Sequence, residues 1–402
     1  MKSVPISDAA MPIYATQDTI QALGGPDLRY CTSRSLYQSR FADPQAKDEA
    51  RKNWFEKLKS RLAESKNASG WLPACAAKVH ARLMSRLMVD LGGGVMENAH
   101  VNLDRFGLPI IPGSAVKGCA RRMALRALHD WVAAGSDRPA AEDACAPCCE
   151  GFNSPADMLA AIAAVFGWVA KDWEGGKKDG LFRSDFAWAC GEHYEPIWEK
   201  ATSHIAERFH WTLPAQKPWQ KLPSFAGAVA FLPASPSSDP GLELDVVTPH
   251  HTKYYKGELE TATDTENPIP VYFPAVKPQN ENNFFSFPII PLARSRQNDA
   301  ELARQWLGTG LELHGLGAKT NAGYGWFKNV TAEVEEAERQ NERLLRLESE
   351  FTGFPALSDD GKDEVVLALS DRPADCRFWH ERSPNSFAAI LEYAASQKIS
   401  LL

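Results

Sequence analysis

The alternation of apolar and polar positions along the chain predicts a mixed α+β protein. Over residues 82–89 the alternation has a period of two, which predicts a strand with Arg82 and Arg86 together on one face. Other apolar runs predict strands over 227–232, 242–247, 284–292 and 324–330. The order and spacing of these segments favour an antiparallel sheet over regularly alternating βα units.

A period of three to four residues marks the predicted helices. Pro112 and Gly113 form a turn before the clearest of them, for which Ser114 is a natural N-cap. Lys117 and Arg121 lie off the apolar stripe of this helix. The stripe consists of Val116, Cys119, Met123, Ala127 and Trp131. Further helices are predicted over 44–65, 155–168, 299–313 and 331–350.

These patterns predict three parts of the chain. Residues 1–70 form a polar N-terminal helical or extended segment, 71–330 form the core, and 331–402 form an acidic helical C-terminal extension. Within the core, 134–157 and 169–222 are rich in Pro, Gly, Trp and charged residues, which is typical of insertions. The chain shows no tandem repeat of fixed period.

The net charge of −7 is unevenly distributed along the chain. Residues 331–402 contain 8 Lys and Arg against 15 Asp and Glu, which accounts for the whole excess. The rest of the chain holds 44 − 8 = 36 basic and 51 − 15 = 36 acidic residues. A neutral body can carry a basic stripe on one face, so the bulk charge does not exclude RNA as a ligand.

Composition favours a globular protein of the cytoplasm, with 44% hydrophobic and 24% charged residues. The chain has neither an apolar run of eighteen residues nor a secretory h-region, so we expect no membrane contact. The eight cysteines are irregularly spaced, as is typical of free thiols in a reducing compartment. Cys145, Cys148 and Cys149 cluster, but further zinc ligands are distant, and we expect no cofactor.

The strongest local motif is the glycine-rich segment 315–325, with four glycines in eleven residues. Such a backbone adopts unusual dihedrals and allows close approach of a ligand or another chain segment. Lys319, Thr320 and Asn321 add a positive charge and neutral donors, which suit a phosphate. The spacing fits neither a Walker loop nor a dinucleotide fingerprint. The alternative is a plain turn between a helix and a strand.

Two further motifs carry candidate chemistry. Free N–H groups at the start of the helix after Pro112 attract anions, and Lys117 can complete such a site. The alternative is a capped surface helix with solvated charges. In 245–255, imidazole, ammonium and phenol groups surround a Pro turn, as single-stranded RNA binding requires. The alternatives there are loop packing, or acid–base catalysis of RNA cleavage by His250 or His251.

Together, these motifs resemble signatures of the RAMP superfamily of CRISPR proteins. Segment 315–325 resembles its GxGAKTxxGYG motif, and 111–121 resembles its IPGSSLKGxxR motif. Residues 165–167 resemble its FG element, and 227–234 its GxVxFxDA strand, although Pro233 replaces the usual Asp. Within the superfamily, 245–255 is similar to the DVxxPHxxxYY run of the sixth-subunit family of type III-B (Cmr) effector complexes.

The resemblance implies a ferredoxin-like (RRM-like) core with an antiparallel sheet, large insertions and helical terminal extensions. It implies a non-catalytic subunit that binds crRNA near its 3′ end, with target RNA and other Cmr/RAMP subunits as partners. The implied RNA-binding residues are Arg82, Arg86, Ser114, Lys117, Arg121, His250, His251, Lys253, Tyr254, Tyr255, Gly317, Lys319, Thr320, Asn321 and Tyr324. The alternatives are a metal-independent endoribonuclease that processes repeat RNA, and an assembly subunit that contacts only protein.

Overall fold

The computed structural model divides the chain into two compact units, Met1–Val330 and Thr331–Leu402. The residues that the structure describes are 49, 52–53, 55–56, 77–89, 101–104, 107–135, 143–248, 251, 254, 257–262 and 270–402. The few described residues of the helix predicted over 44–65 are helical. The rest of that helix and most of the N-terminal segment lie outside the described residues.

The first unit combines helices with short and medium-length strands. Its described helices are α1 Gly113–Ala134, α2 Pro155–Phe166, α3 Asp185–Cys190, α4 Tyr194–Phe209 and α5 Asp299–Leu313. Its described strands are β1 Ala77–Leu83, β2 Gly167–Trp168, β3 Lys177–Lys178, β4 Leu181–Phe182, β5 Phe225–Ala226, β6 Val229–Phe231, β7 Ser235–Pro236, β8 Leu242–Val247, β9 Val271–Val276, β10 Phe285–Pro291 and β11 Phe327–Asn329.

The central sheet has the strand order β11-β1-β10-β6, with β7 also paired to β10. All of its pairings are antiparallel, with Val79 opposite Phe287 and Leu83 opposite Phe327. Counted in chain order, with β6 and β7 as two parts of one interrupted strand, the order is 4-1-3-2. Helix α1 connects the first strand to the second, and α5 connects the third to the fourth. This βαββαβ arrangement confirms the predicted ferredoxin-like core of an α+β protein.

One face of the sheet forms the core because apolar residues occupy alternate positions of its central strands. On β1 these are Val79, Ala81 and Leu83, all buried. Helices α1 and α5 pack against each other and cover this face. The predicted apolar stripe of α1 is confirmed, since all five of its residues are buried.

Two local predictions were wrong. The strand predicted over 82–89 begins earlier, at Ala77, and ends at Leu83. Beyond Leu83 the chain bonds to a loop and to a separate hairpin instead of the sheet, so the alternation continues without a strand. Ser114 is not the N-cap of α1, because the helix begins one residue before it and Pro112 occupies the cap position.

The two segments predicted as insertions contribute to the same core. Residue Cys148 is buried, and its carbonyl accepts a hydrogen bond of 3.1 Å from the indole of Trp306 on α5. In 169–222, Trp173 and Trp198 are buried with ring centroids 5.3 Å apart. These two tryptophans therefore pack against each other in the core.

The second unit is helical and has a core of its own. Its helices are α6 Thr331–Glu350, α7 Asp359–Ser370, α8 Pro373–Arg382 and α9 Pro384–Ser396. Buried residues include Val366, Trp379 and Phe387, and the last two stack with centroids 4.9 Å apart. In the described part of the chain, no helix has both the length and the apolar character needed to span a bilayer.

Candidate nucleic-acid interface around the glycine-rich loop

The glycine-rich loop, residues 315–325, connects α5 to β11 and lies against the chain that follows β1. A Cβ atom at Gly317 would lie 2.4 Å from the carbonyl oxygen of Met88, and one at Gly325 would lie 1.9 Å from that of Leu316. Both glycines also have positive φ, 103° and 67°. Glycine is therefore required at these positions for the loop to close on itself and on the segment after β1.

Several backbone N–H groups of the loop donate hydrogen bonds that hold it in this shape. The N–H of Leu316 donates to Gly325 O at 2.8 Å, and the N–H of Gly325 donates to Arg86 O at 2.7 Å. The N–H of Ala318 donates to Met88 O at 2.8 Å. These three N–H groups are committed to the fold, so they are not available to a phosphate. The loop instead forms a fixed base for its side chains.

Lys319, Thr320 and Asn321 lie at the outer turn of the loop. Lys319 has a left-handed backbone, with φ of 58°, and its Nζ lies 4.7 Å from the ring centroid of Phe273 on β9. Thr320 opens a short 3₁₀ turn, and its carbonyl accepts a 3.2 Å hydrogen bond from the indole of Trp326. Asn321 is exposed. The turn thus presents one ammonium, one hydroxyl and one amide in succession.

Tyr324 connects the loop to the β8–β9 hairpin. Its hydroxyl donates to the carboxylate of Asp245, and burial, followed by this carboxylate, raises the pKa of Tyr324. Arg86 also bonds Asp245, with Nη1 at 2.8 Å, and its Nε donates to Glu243. Burial raises the pKa of Asp245, but the hydrogen bond from Tyr324 and the contacts with Val246 N–H and Arg86 outweigh this and lower it overall. Asp245 is therefore ionised at neutral pH.

Arg86 consequently serves to position the loop and the hairpin. Its hydrogen bond with Glu243 is the main cause that raises the pKa of its guanidinium. The two carboxylates around it more than balance its charge. This differs from the free cation expected of a phosphate contact.

Helix α1 adjoins the loop at the residue that opens it. The Cys119 thiol lies 3.6 Å from Gly315 O, and burial raises the pKa of that thiol to about 12. Ser114 is exposed in the first turn of the helix. Lys117 is half-buried, and burial followed by the charge of Arg121 lowers the pKa of its ammonium. Both residues are on the N-terminal turns of a helix that touches the loop.

Arg121 is turned toward the segment 169–222. Its guanidinium bonds Asp185 and lies 3.2 Å from Asp172, over the ring of Phe186. The next residue, Arg122, is exposed, and its charge, after burial, lowers the pKa of His314 just before the loop. In sequence, Arg122 lies beside Arg121 off the apolar stripe of this helix, but only Arg121 was predicted to bind RNA.

Arg82 lies on the face of the sheet opposite the helices. It pairs across the strands with Lys328 of β11, and its Nη2 donates to Glu281 O at 2.6 Å. Because Ala81 and Leu83 face the core, alternation places Arg82 on the same face as Lys78. Lys78 and Lys328 are therefore further basic residues that strand alternation brings to this face.

The third motif is only partly described. His250, Lys253 and Tyr255 lie outside the described residues. Tyr254 is exposed, and Nδ1 of His251 is buried with no hydrogen-bond partner among the described residues. The segment lies between β8 and β9, whose hairpin contacts the glycine-rich loop through Tyr324 and Phe273.

No group of three or more metal-ligating side chains occurs among the described residues. In the cysteine cluster, Cys148 and Cys149 are buried, and burial raises the pKa of the Cys148 thiol to about 11. A protonated thiol is a poor metal ligand.

The family model of the RAMP superfamily matches residues 81–328. The chain is 28% identical over 258 residues to the CRISPR system Cmr subunit Cmr6 of Pyrococcus furiosus, a match that covers 61% of this chain. It spans 65% of that relative, slightly less than two thirds of its length.

Two solved structures are also similar. The crystal structure of Cmr6 from Pyrococcus furiosus is 23% identical, with a TM-score of 0.29, over 63% of this chain and 97% of that one. The cryo-EM structure of the type III-B Cmr-beta bound to cognate target RNA contains a chain that is 15% identical, with a TM-score of 0.37, over 69% and 70%. At these TM-scores neither structure fixes a residue-by-residue correspondence.

Proposed function

Because this chain belongs to the RAMP superfamily, we propose that it is a non-catalytic, RNA-binding subunit of a type III-B CRISPR effector complex in the cytoplasm. Its partners are crRNA, target RNA and other Cmr/RAMP subunits. It binds crRNA near the 3′ end and caps the row of backbone subunits. The curated Cmr6 relative and the motif 245–255 support the assignment to this complex.

The observation that carries the proposal is the fixed glycine-rich loop with basic side chains around it. The loop is held by the segment after β1, by α1 and by the β8–β9 hairpin. Its outer turn carries the half-buried Lys319 and Thr320 and the exposed Asn321. Arg122 on α1 adds positive charge near His314, just before the loop, and Lys117 adds charge on the first turns of the same helix. Charged side chains and neutral hydrogen-bond donors suit the sugar–phosphate backbone.

Binding to the RNA backbone has two consequences. Affinity for RNA decreases as salt rises, because each phosphate contact releases counterions. Sequence selectivity comes from pairing between guide and target, since the protein contacts hold only the backbone. The chain then needs no catalytic group, and His251 and Tyr254 serve as RNA contacts together with His250, Lys253 and Tyr255.

Purification of the chain from its native host, followed by sequencing of bound RNA and identification of bound proteins, tests the proposal. We expect guide RNAs together with sibling RAMP subunits. Processed repeat RNA without sibling subunits would instead favour the endoribonuclease. Sibling subunits without direct RNA contact would favour a subunit that binds only protein.

A cleavage assay separates the first two outcomes directly. Repeat RNA incubated with the chain in the absence of added metal should remain intact. Cleavage that is lost in His250→Ala or His251→Ala would contradict a non-catalytic role. Cleavage that both variants retain and that stays with the chain through further purification would also contradict it, whereas cleavage that separates from the chain belongs to a contaminating nuclease.

A further inference from the structure

A second group of aromatic and basic side chains lies at the end of the sheet opposite the glycine-rich loop. Arg294 and Arg296 follow β10 and precede α5, whereas the loop follows α5. Helix α5 has 15 residues, so at a rise of about 1.5 Å per residue its two ends are about 22 Å apart. The two groups are therefore separate surfaces of the same unit.

This group lines an open cavity of about 390 Å³. The lining residues are Arg208, Phe209, His210, Trp211, Arg294 and Arg296. The volume falls within the usual range for sites that hold a small ligand. A single nucleotide is a ligand of this size class.

The aromatic residues form a supported platform. The rings of Phe209 and Trp211 stack with centroids 5.0 Å apart, and Phe225 lies 4.4 Å from Phe209. Trp168 is buried behind them, 5.1 Å from Phe225. Phe209, Trp211 and Phe225 themselves are only half-buried. A cluster that served only as core would be covered like Trp168, whereas these rings keep surface exposed to a ligand.

The charge beside the platform is positive. Arg208 is neutralised, since its Nη1 lies 3.1 Å from the carboxylate of Asp299 and both side chains are almost fully buried. Arg294 and Arg296 are exposed, and no carboxylate of the described part of the chain forms an ion pair with either of them. The guanidinium of Arg294 lies 5.1 Å from the ring centroid of Phe225. Two arginines thus flank exposed aromatic rings without a balancing acid.

We propose that this surface, defined as Phe209, His210, Trp211, Arg294 and Arg296, is a second contact site for single-stranded RNA, an inference that rests on the proposed function. An unpaired base stacks on the Phe209–Trp211 platform, and Arg294 and Arg296 bind the adjoining phosphates. Stacking rings combined with arginine are the means by which proteins hold unpaired nucleotides without selecting their sequence. An acidic protein segment could use the arginines but would leave the stacked ring faces unexplained.

The test measures binding of a fluorescein-labelled single-stranded RNA to the full chain by fluorescence anisotropy over a series of salt concentrations. The test variant is Arg294→Ala/Arg296→Ala, and the matched control is Lys178→Ala/Arg183→Ala, which removes two exposed cations elsewhere on the same unit. We expect the test variant to weaken binding about tenfold or more, and its salt slope to fall by about 1.4, or about 0.7 for each lost phosphate contact. The control should change neither.

Trp211→Phe and Trp211→Ala separate stacking from charge. Phenylalanine should retain most of the affinity, whereas alanine should weaken binding by about fivefold or more with the salt slope unchanged. Thermal unfolding of both variants, measured in parallel, shows whether a loss of RNA affinity comes from a loss of the folded state.

The outcomes distinguish this inference from the function on which it rests. If the wild-type chain fails to bind RNA, the proposed function itself is contradicted. If Lys319→Ala weakens binding but the double arginine variant binds as the wild type does, only the second site is overturned. Normal RNA binding with loss of a sibling subunit during purification would identify the surface as a protein contact and would also overturn it.

Discussion

The hydroxyl of Tyr324 in the glycine-rich loop donates a hydrogen bond to Asp245 on β8, 79 residues earlier in the chain. Arg86, on the segment after β1, bonds the same carboxylate. Three segments that are remote in sequence therefore meet at one ionised side chain. This junction fixes the loop that presents Lys319, and it makes the loop sensitive to changes in the hairpin.

Tyr324→Phe should loosen this junction without removing the aromatic ring. The loss of one hydrogen bond to a charged, largely buried acceptor should lower the free energy of unfolding by about 1 kcal/mol or slightly more. Urea denaturation measures that loss, and RNA affinity should fall with it because the loop is less fixed. Tyr393→Phe is the matched control, since Tyr393 bonds Asp363 in the second unit. An equal effect of the control on RNA affinity would contradict the positional role of Tyr324.

Lys319→Ala should weaken RNA binding by about 1 kcal/mol, the scale of a single charge-assisted contact. Lys117→Ala should have an effect of the same size. Lys362→Ala is the control, because Lys362 also lies over an aromatic ring, that of Tyr393, but in the second unit. Unchanged affinity and salt slope in both Lys319→Ala and Lys117→Ala would contradict the proposed RNA face.

The two neighbouring arginines of α1 should respond differently to substitution. Arg121→Ala removes two ion pairs with Asp172 and Asp185 and should lower stability by up to about 1 kcal/mol, with the salt slope of RNA binding unchanged. Arg122→Ala should leave stability unchanged and reduce the salt slope by about 0.7. The reverse pattern would show that Arg121 leaves its carboxylates to contact RNA.

Substitution of two loop glycines distinguishes backbone strain from a steric clash. Gly323 has a φ of 90° with open space around a Cβ, so Gly323→Ala should cost only about 1–2 kcal/mol of backbone strain. Gly325→Ala adds a contact of 1.9 Å to the carbonyl oxygen of Leu316 and should cost distinctly more. Thermal unfolding of the two variants gives the comparison. Equal losses would mean that the loop backbone can shift Leu316 away from position 325 at little cost.

Stability should depend on pH through His80, which is buried on β1 beside Ser286. Burial, with smaller contributions from the charges of Lys78 and Arg304, lowers the pKa of His80 from 6.5 to about 4. Between these values the unfolded chain binds a proton that the folded chain does not, so stability is full above pH 6.5 and is lost as the pH falls toward 4. The loss attributable to this group is on the order of 3 kcal/mol.

Urea denaturation of the wild type and of His80→Asn at several pH values between 4 and 7 measures this contribution as the difference in slope. His193→Asn, at an exposed position before α4, is the control. A wild-type slope that His80→Asn leaves unchanged would assign the pH dependence to other groups.

Much of the fold could be predicted from the sequence, because the elements that build the core follow local patterns. Helix α5 was predicted with its observed bounds, Asp299–Leu313, and the strands at Leu242–Val247 and Phe285–Pro291 were predicted within a residue or two. All five residues predicted for the apolar stripe of α1 are buried, and Ala120, Ala124, Leu125 and Leu128 of the same helix are buried with them. The periodicity of apolar residues involves positions that are close in sequence, so it can be recognised before any tertiary contact is known.

The wrong predictions arose where a distant segment decides the local structure. The chain after Leu83 alternates like a strand, but its backbone partners are the glycine-rich loop and Val276. The start of α1 was misplaced by one residue because Pro112 takes the cap position without a side-chain bond. Neither feature is visible in the residues concerned.

The sequence by itself determined the candidate segments, which are the glycine-rich loop, the start of α1 and the run at 245–255, and the family to which the chain belongs. Only the tertiary structure decided which charges remain available. In sequence, Arg86 and Arg121 fit an RNA face equally well. In the structure, carboxylates of β8 bind Arg86, and carboxylates of residues 169–222 bind Arg121. Arg122, Arg294 and Arg296 are exposed instead. The reason is physical: the effect of a charge depends on the groups within a few ångströms of it, and folding brings those groups from distant parts of the chain.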